Sequence, residues 1–512
     1  MFIILVLILS IPAVQTRLGK HATKLVNEEF GTNINIEKVG LQFNGDVELK
    51  HIYVEDYKKD TLINIAELNT SIINFRNLYN GKLAFGDIDI IDLTFNIKTY
   101  KGEDQTNLDV FVARFDEENP SNEKSGFLLS SSDVSIYNST FRMLDENKEN
   151  QKILEFDNLN INATDFLIDA SDVSARINTL SFRDSRGLSI QNMVTNFEYT
   201  LDHMSFNDLS IKTENSNLKG NVRFDYKRED LQEFTDKVNV TASFEDSELF
   251  LNDLNTFYNE FGVSQKANFT VDLSGTLNDL YAEELKLNTS SRTRIYGNIN
   301  FKNLFNSEDD NFSMDGKFDN LSSNYYDLRA LLPNILGESI PSIFSKLGDF
   351  NINGTSHITS TTIDADLDIY TDLGEISSNL EMTRVNDIDN ASYKGNVVFN
   401  DFDLGKLLDN PEIKTTSFNL DVDGKGFTLK NLYTNIEGQI YELDFNDYNY
   451  QHITVSGELG NNIYNGLLKS TDKNFKFTFD GLADLSNEIK ALDFKANVEY
   501  ANLNALNFIK SD

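Results

Sequence analysis

Cysteine and tryptophan are absent from the 512-residue chain, and proline occurs only five times. Without cysteine there is no disulfide framework, no thiolate metal site and no cysteine nucleophile. The scarcity of proline leaves long strands uninterrupted, because proline removes a backbone donor from a sheet. The histidines (His21, His51, His203, His357 and His452) are far apart in sequence, which excludes a paired-histidine metal motif.

Positive charge is also scarce. The chain has 45 Lys and Arg against 81 Asp and Glu, a formal net charge of −36. This balance disfavours nucleic acids and anionic membrane surfaces as partners, because both bind basic patches. Hydrophobic residues make up 40% of the chain, enough for substantial burial, so wholesale disorder is not expected.

Motifs of common enzyme classes are missing from the sequence. It contains neither a Gly-x-Ser-x-Gly nucleophile elbow nor a Gly-x-x-x-x-Gly-Lys phosphate loop. Asp364, Asp366 and Asp368 match part of a calcium-loop spacing, with Glu375 further on. Ile369, however, stands where that loop requires glycine, and alternating carboxylates are typical of the polar face of a strand. We therefore expect no enzymatic activity, no metal and no cofactor.

What the chain does contain is strict alternation of apolar and polar residues. Phe418, Leu420 and Val422 alternate with polar residues, and the same pattern recurs along the chain. Such alternation indicates strands with one apolar and one polar face. The clearest strands predict an apolar face lined by Val238, Val240, Ala242, Phe244, Phe269, Val271, Leu273, Phe418, Leu420, Val422, Phe475, Phe477 and Phe479.

Helical patterns are few and short, the best being 247–261, 324–332 and 340–347. This is too little helix to cover so much strand, so the apolar faces must cover one another or contact something that is not protein. A strand followed by a leucine-rich turn recurs around Phe244, Phe318, Phe399 and Tyr500 at irregular spacings. The sequence thus predicts a mainly β fold, an elongated and repetitive antiparallel sheet.

Residues 1–16 are mostly aliphatic and carry no charged side chain. They predict an N-terminal transmembrane anchor, although a spanning helix needs about 20 apolar residues. The basic residues follow this run, which by the positive-inside rule places the body in the cytoplasm. We interpret this conflict as a truncated anchor; the alternative, a cleaved signal peptide, lacks its basic first region. An amphipathic helix is expected from Gln15 to Phe30, ending at Gly31.

Several phrases resemble the TamB family of AsmA-like proteins. These segments are Pro12-Ala13-Val14-Gln15 at the end of the expected anchor, residues 33–39, the motif Phe-Asp-Leu-Gly-Lys-Leu-Leu at 402–408, and the motif Gly-x-Leu-x-x-Leu at 275–280. The resemblance covers the whole chain loosely. It implies a bridge-like lipid-transfer protein with an inner-membrane anchor and a taco-like hydrophobic β-groove crossing the periplasm of a Gram-negative bacterium.

The same resemblance implies phospholipid acyl chains as ligands and a role in outer-membrane protein assembly and secretion. It implies a TamA- or BamA-like outer-membrane barrel as partner, through a C-terminal region that we expect to lie outside this sequence. The expected domains are the anchor at 1–16, an AsmA-like α+β region at 17–116, a polar linker at 117–126 and a repetitive β-groove region at 127–512. The alternative is a secreted or surface β-solenoid of structural or adhesin type. It predicts closed, glycine-rich coils of near-constant length, which the irregular repeats disfavour.

Overall fold

The computed structural model describes residues 11–42, 44–72, 82–116, 128–149, 151–169, 172–256, 261–304, 311–333, 340, 342–387, 390–427, 431–484, 486 and 490–509. The chain divides into two compact units: Met1–Gln232 with Val240–Ser247, and Glu233–Asn239 with Glu248–Asp512. The 26 strands belong to one sheet that is not closed, and each strand register that the structure describes is antiparallel except that of β4 with β5. The predicted mainly β, antiparallel fold is confirmed.

Unit 1 begins with helix α1 (Pro12–Phe30) and continues through eleven described strands, with helix α2 (Asn107–Asp116) between the fourth and fifth. These strands are β1 (Asn33–Leu41), β2 (Asp46–Glu55), β3 (Thr61–Ile72), β4 (Lys82–Thr99), β5 (Leu128–Asp145), β6 (Lys152–Asp169), β7 (Asp172–Asp184), β8 (Ser189–Ile190), β9 (Asn192–Tyr199), β10 (His203–Lys212) and β11 (Asn217–Asp225). Strands β4 and β5 pair in parallel. The predicted linker at 117–126 lies outside the described residues.

A 3₁₀ helix (Arg228–Glu233) and α3 (Phe234–Lys237) precede β12 (Asn239–Phe250), whose residues are shared between the units. Unit 2 then contains β13 (Lys266–Thr276), β14 (Asp279–Thr289), β15 (Arg294–Lys302), β16 (Ser313–Asn324), β17 (Asp349–Thr359), β18 (Thr362–Thr371), β19 (Gly374–Thr383), β20 (Ser392–Asp403), β21 (Ile413–Lys425), β22 (Tyr433–Phe445), β23 (Tyr448–Gly460), β24 (Ile463–Thr471), β25 (Phe475–Asp484) and β26 (Ala491–Ala501). The other helices of unit 2 whose bounds the structure describes are α4 (Leu251–Leu254), α5 (Tyr325–Leu331), a 3₁₀ helix (Ser342–Leu347) and α6 (Leu404–Leu408). From β13 to β26 each strand pairs antiparallel with the next.

Helix α1 lies along β1 and binds backbone groups of that strand. The Gln15 amide donates to the Leu41 carbonyl at 2.5 Å and accepts from the Leu41 N–H at 3.0 Å. The Asn27 amide binds Ile34 in the same two ways, at 2.8 Å each. These bonds cover the edge of β1 that would otherwise be open to pairing with another strand. The predicted helix is confirmed, and it ends at Gly31, which has a φ of +62°.

β-Bulges interrupt the strict alternation at recurring places. Asp401 in β20 has a φ of +46° and donates its N–H to the Ser417 hydroxyl of β21 at 3.0 Å. Glu284 in β14 has a φ of +50° and donates to the Asn298 side chain of β15 at 2.8 Å. The pairing register shifts at both places. A bulge adds one residue to a strand and bends it locally, so apolar residues three apart return to the same face.

The short predicted helices form only in part. The helix expected at 324–332 is confirmed as α5, with Asn324 accepting from the Asp327 N–H at 2.9 Å as its N-cap. The one expected at 340–347 is a 3₁₀ helix. Of the one expected at 247–261, the described residues are helical only in α4 (Leu251–Leu254). Its first turn is wrong, because Ser247 is buried within β12 and exchanges hydrogen bonds of 2.9 and 3.1 Å with the Lys219 backbone.

Candidate functional site

The candidate site is the apolar face of the sheet in unit 2, which we define by strand register. Residues directly opposite each other on paired strands lie on the same face. One row crosses all fourteen strands from β13 to β26 and holds only apolar or small residues. Its members are Leu273, Ala282, Ile299, Gly316, Ser356, Ala365, Leu380, Gly395, Val422, Ile436, Gly457, Gly466, Gly481 and Phe494.

The register brings together predicted lining residues that are far apart in sequence. Leu273 and Val422 lie in the row just described. Leu420 and Phe479 share the neighbouring row on the same face, and Phe418 and Phe477 share the row beyond that one. Val240, Ala242 and Phe244 belong to unit 1. Val238 lies between α3 and β12 rather than within a strand.

None of the thirteen predicted lining residues is exposed. Five are buried, with exposed fractions of 0% for Val238, 6% for Val240, 5% for Ala242, 5% for Val271 and 9% for Leu420. The other eight are half-buried: Phe244, Phe269, Leu273, Phe418, Val422, Phe475, Phe477 and Phe479. Polar neighbours such as Asp272, Asp421 and Lys476 are exposed. Asn419 and Thr478, on the polar face, are half-buried as well. The aromatic side chains in mid-strand retain access to solvent, which a fully covered core would remove.

Aromatic side chains contact one another across neighbouring strands of this face. Phe399 of β20 stacks on Phe418 of β21 with ring centres 4.4 Å apart. Phe479 of β25 and Phe494 of β26 are 4.7 Å apart. On β26 the residues of both faces are exposed from 491 to 500, with exposed fractions of 43% for Phe494 and 54% for Val498. Unit 1 has its own ring series on β4, β5 and β6, where Phe95, Phe141 and Phe156 are neighbours at 5.8 and 5.7 Å.

The two long edges of this sheet differ. We call the side where β20 ends and β21 begins the helix edge, because every described helical segment between β12 and β26 lies there. We call the opposite side the turn edge, where odd-numbered strands lead into even-numbered ones. One such connection is Asn461-Asn462, with φ values of +47° and +59° typical of a two-residue hairpin turn.

At the helix edge, side chains from the helical segments pack onto the apolar face. Leu251 of α4 and Leu331 of α5 are 3% and 5% exposed and form one cluster with Ala267 of β13. Leu506, in the turn after β26, is 0% exposed and packs with Tyr450 and Ile453 of β23. The recurring leucine-rich turns predicted from the sequence are these segments.

The polar face carries a furrow of ≈ 590 Å³ across β19–β23. Its lining includes Asn396, Asp421, Lys394 and Asp423. Asn396 donates to Asp421 at 2.8 Å, and Lys394 pairs with Asp423 at 3.2 Å. These four lining side chains therefore bind one another in pairs.

The partial calcium-loop match has no metal geometry. Asp364, Asp366 and Asp368 are exposed on alternate positions of β18. In the described ranges, no group of three or more His, Asp or Glu side chains is placed to hold a metal ion.

A buried polar network in unit 1 escaped prediction from the sequence. Tyr100 donates to Asp56 at 2.6 Å and to Asp60 at 2.9 Å, and Asn107, at the start of α2, donates to Asp56 at 3.0 Å. Burial raises the pKa of the Tyr100 hydroxyl, and its two carboxylate partners raise it further. The Tyr100 and Lys98 hydrogen bonds lower the pKa of Asp60. All these groups are partnered, so the network has a structural role in tying α2 to β4.

The predicted transmembrane anchor at 1–16 falls mainly outside the described residues, which begin at Ile11. Of the helices that the structure describes, none is both long enough and apolar enough to cross a membrane. Comparison with protein-family models, with curated proteins and with solved structures found no match for this chain.

Proposed function

We propose that this chain is a lipid-transfer protein whose apolar sheet face binds phospholipid acyl chains. One observation carries the proposal: Phe418 and Phe479 in the middle of their strands, and Phe477 near the start of β25, lie on the apolar face yet are only half-buried. Burying such side chains fully is worth about 1.5 to 3 kcal/mol each. A face of this length that leaves them accessible favours an apolar ligand over a second protein layer.

The dimensions and energies suit acyl chains. Strands of nine to thirteen residues from β20 to β26 span about 30 to 43 Å. One leaflet of a bilayer's hydrocarbon core, which is about the length of one acyl chain, is about 15 Å. Transferring some thirty methylenes onto such a face gains roughly 20 kcal/mol gross at about 0.8 kcal/mol per methylene. That gain offsets the removal of the chains from a bilayer.

The proposal extends to the features that the resemblance to the TamB family implies. These are a curled, taco-like groove, an inner-membrane anchor at residues 1–16 and a body in the periplasm. They also include a role in outer-membrane protein assembly and secretion, and a partner barrel of TamA or BamA type. The β-bulges at Asp401 and Glu284 support the curl, because bulges are the usual means of bending a sheet.

The competing proposal, a β-solenoid of structural or adhesin type, is less well supported. A solenoid stacks coils so that equivalent strands of successive coils pair in parallel. Here, successive strands from β13 to β26 pair antiparallel, and β4 with β5 is the one parallel pair among the described strands.

The test is lipid co-purification with a matched pair of variants on β22. Ile440 lies half-buried on the apolar face, and its neighbour Gln439 is exposed on the polar face. The purified wild-type chain should carry phospholipid detectable by mass spectrometry, Ile440→Glu should lose most of it, and Gln439→Glu should retain it. Absence of lipid from the wild-type chain, or equal retention by both variants, would contradict the proposal.

A further inference from the structure

From β15 onwards, the two edges of the apolar face in unit 2 differ in what covers them; between β13 and β14 the turn edge is contacted by α3, whose Thr235 carbonyl accepts from the Asn278 N–H at 2.9 Å. At the helix edge, Leu251, Leu331 and Leu506 are almost fully buried against the ends of strands. Phe402, where β20 reaches that edge, is also 0% exposed and lies 4.3 Å from the Phe399 ring. An acyl chain leaving the face on this side would have to displace these packed side chains.

The helix edge is also fastened by polar contacts. Lys346 of the 3₁₀ helix donates to the Leu407 carbonyl of α6 at 2.8 Å and pairs with Asp409 at 2.6 Å. The Asn507 side chain donates to the carbonyls of Asn446 and Asp447, in the turn between β22 and β23, at 3.1 Å each. These bonds hold the covering segments in place over the strand ends.

Side-chain size also varies along the strands of β20–β25. Towards the helix edge the face carries large side chains such as Phe418. Nearer the turn edge it passes through a row that includes Gly457 and Gly466, and the next row beyond them holds Leu459 and Tyr464. On β23 and β24 the glycine row is therefore a strip without side chains between rows of larger ones.

Charge differs between the edges as well. Five cations at the helix edge form ion pairs with nearby carboxylates: Lys266, Arg292, Lys346, Lys406 and Lys414; Lys473 is exposed beside them. At the turn edge, exposed cationic side chains stand at or beside strand ends: Lys302, Arg384, Lys425 and Lys490. Lys and Arg are the side chains that bind phosphate oxygens.

We propose that phospholipids lie on this face in one orientation, with acyl chain ends towards the helix edge and phosphate headgroups along the turn edge. This inference rests on the proposed function. The turn edge is then the side through which lipids enter and leave, because a headgroup that stays in water need not cross the packed leucines.

The test uses the purified full chain and two photoreactive phosphatidylethanolamines. One carries a diazirine next to the glycerol, and the other carries it at the methyl end of an acyl chain. After irradiation, peptide mapping locates the label on β21, where Val422 lies nearer the turn edge and Phe418 nearer the helix edge. Four residues of strand separate them by about 13 Å. The glycerol-end probe should favour the Val422 end, and the methyl-end probe should favour the Phe418 end.

Each other outcome has a definite meaning. The reverse preference would place headgroups at the helix edge, and equal labelling of both ends by both probes would show no fixed orientation; either result overturns this inference and leaves the proposed function standing. Labelling confined to the polar face, at Asn419 or Asp421, or no labelling by either probe, would contradict the proposed function itself.

Discussion

Phe477→Arg is the most direct single substitution with which to test the proposed lipid path. Phe477 is half-buried on the apolar face of β25, with its ring 4.5 Å from that of Phe475. An arginine in an apolar lipid environment costs about 2.5 to 3.5 kcal/mol. At 1.4 kcal/mol per factor of ten, this is a loss of about 60- to 300-fold in affinity for acyl chains. Because the face is open and the guanidinium can extend towards water, we expect the lower end of this range.

The matched control is Thr478→Arg, one residue further along β25. Thr478 is also half-buried but lies on the polar face, opposite Lys469 and Asn497. Both variants add the same side chain and the same charge to the same strand. Transfer of a fluorescent phospholipid between liposomes should be lost in Phe477→Arg and kept in Thr478→Arg, with both thermal midpoints measured. Equal loss in both, or full transfer by a folded Phe477→Arg variant, would refute the reasoning.

Three further predictions follow from the described contacts. Val240→Asp and Leu420→Arg should block lipid transfer, and because both sites are buried they should also lower the thermal midpoint, unlike Thr241→Asp and Asn419→Arg on the polar face. Gly354→Ala should lower the free energy of unfolding by about 1 to 3 kcal/mol, measured with denaturant, because φ is +132° and the new methyl would lie 2.1 Å from the Asp366 carbonyl oxygen. Gly40→Ala, whose new methyl would have no atom nearer than 3.6 Å, should change this free energy little. The Arg186 hydrogen bond lowers the pKa of Asp184 below the unfolded value of about 3.9. The ionised Asp184 therefore stabilises the fold above that pH, and this contribution is lost as the pH falls towards the folded pKa. Asp184→Asn should make the free energy of unfolding depend less on pH in the acid range, and an unchanged dependence would contradict this.

Strand faces could be predicted from the sequence because alternation is a local property. Phe418, Leu420 and Val422 needed only the period of two to be assigned to one face. Strand partners could not be predicted in the same way, since register depends on residues far apart in sequence. Nothing local indicates that Leu273 and Val422 share a row. That result comes from eight successive pairings, from β13 to β21.

The positions of the bulges are indicated in the sequence, but an analysis based only on strict alternation does not predict them. Phe399 and Phe402 are three residues apart but both apolar, and Asp401 between them takes the positive φ that an extra residue requires. Ala282 and Leu285, with Glu284 between, repeat the pattern. A step of three within an alternating strand, with Asp, Asn or Glu just before the second apolar residue, therefore predicts a bulge and the local bend that goes with it.

The difference between the edges was only partly accessible from the sequence. The leucine-rich turns near Phe244, Phe318, Phe399 and Tyr500 were recognised as a repeat, but their common side was not. Each of these turns follows an even-numbered strand. Because successive strands run in opposite directions, all even-numbered strands end at the same edge of the sheet, and the turns lie there. Helix α2 was missed although its start carries a local signal, a capping box in which the Asp109 N–H donates to the Thr106 hydroxyl and the Thr106 N–H donates to the Asp109 carboxylate, at 3.1 Å each. The contact between Asn107 and Asp56, which also holds its first turn, is distant in sequence.

The most direct test of the central claim is photocrosslinking in living cells, with benzoylphenylalanine at Phe418, Leu420 or Phe477 and, as controls, at Asn419 or Thr478. The account predicts covalent phospholipid adducts, identified by mass spectrometry, at the three apolar positions and not at the two polar ones. Folded protein that captures no phospholipid at Phe418, Leu420 and Phe477 would contradict it.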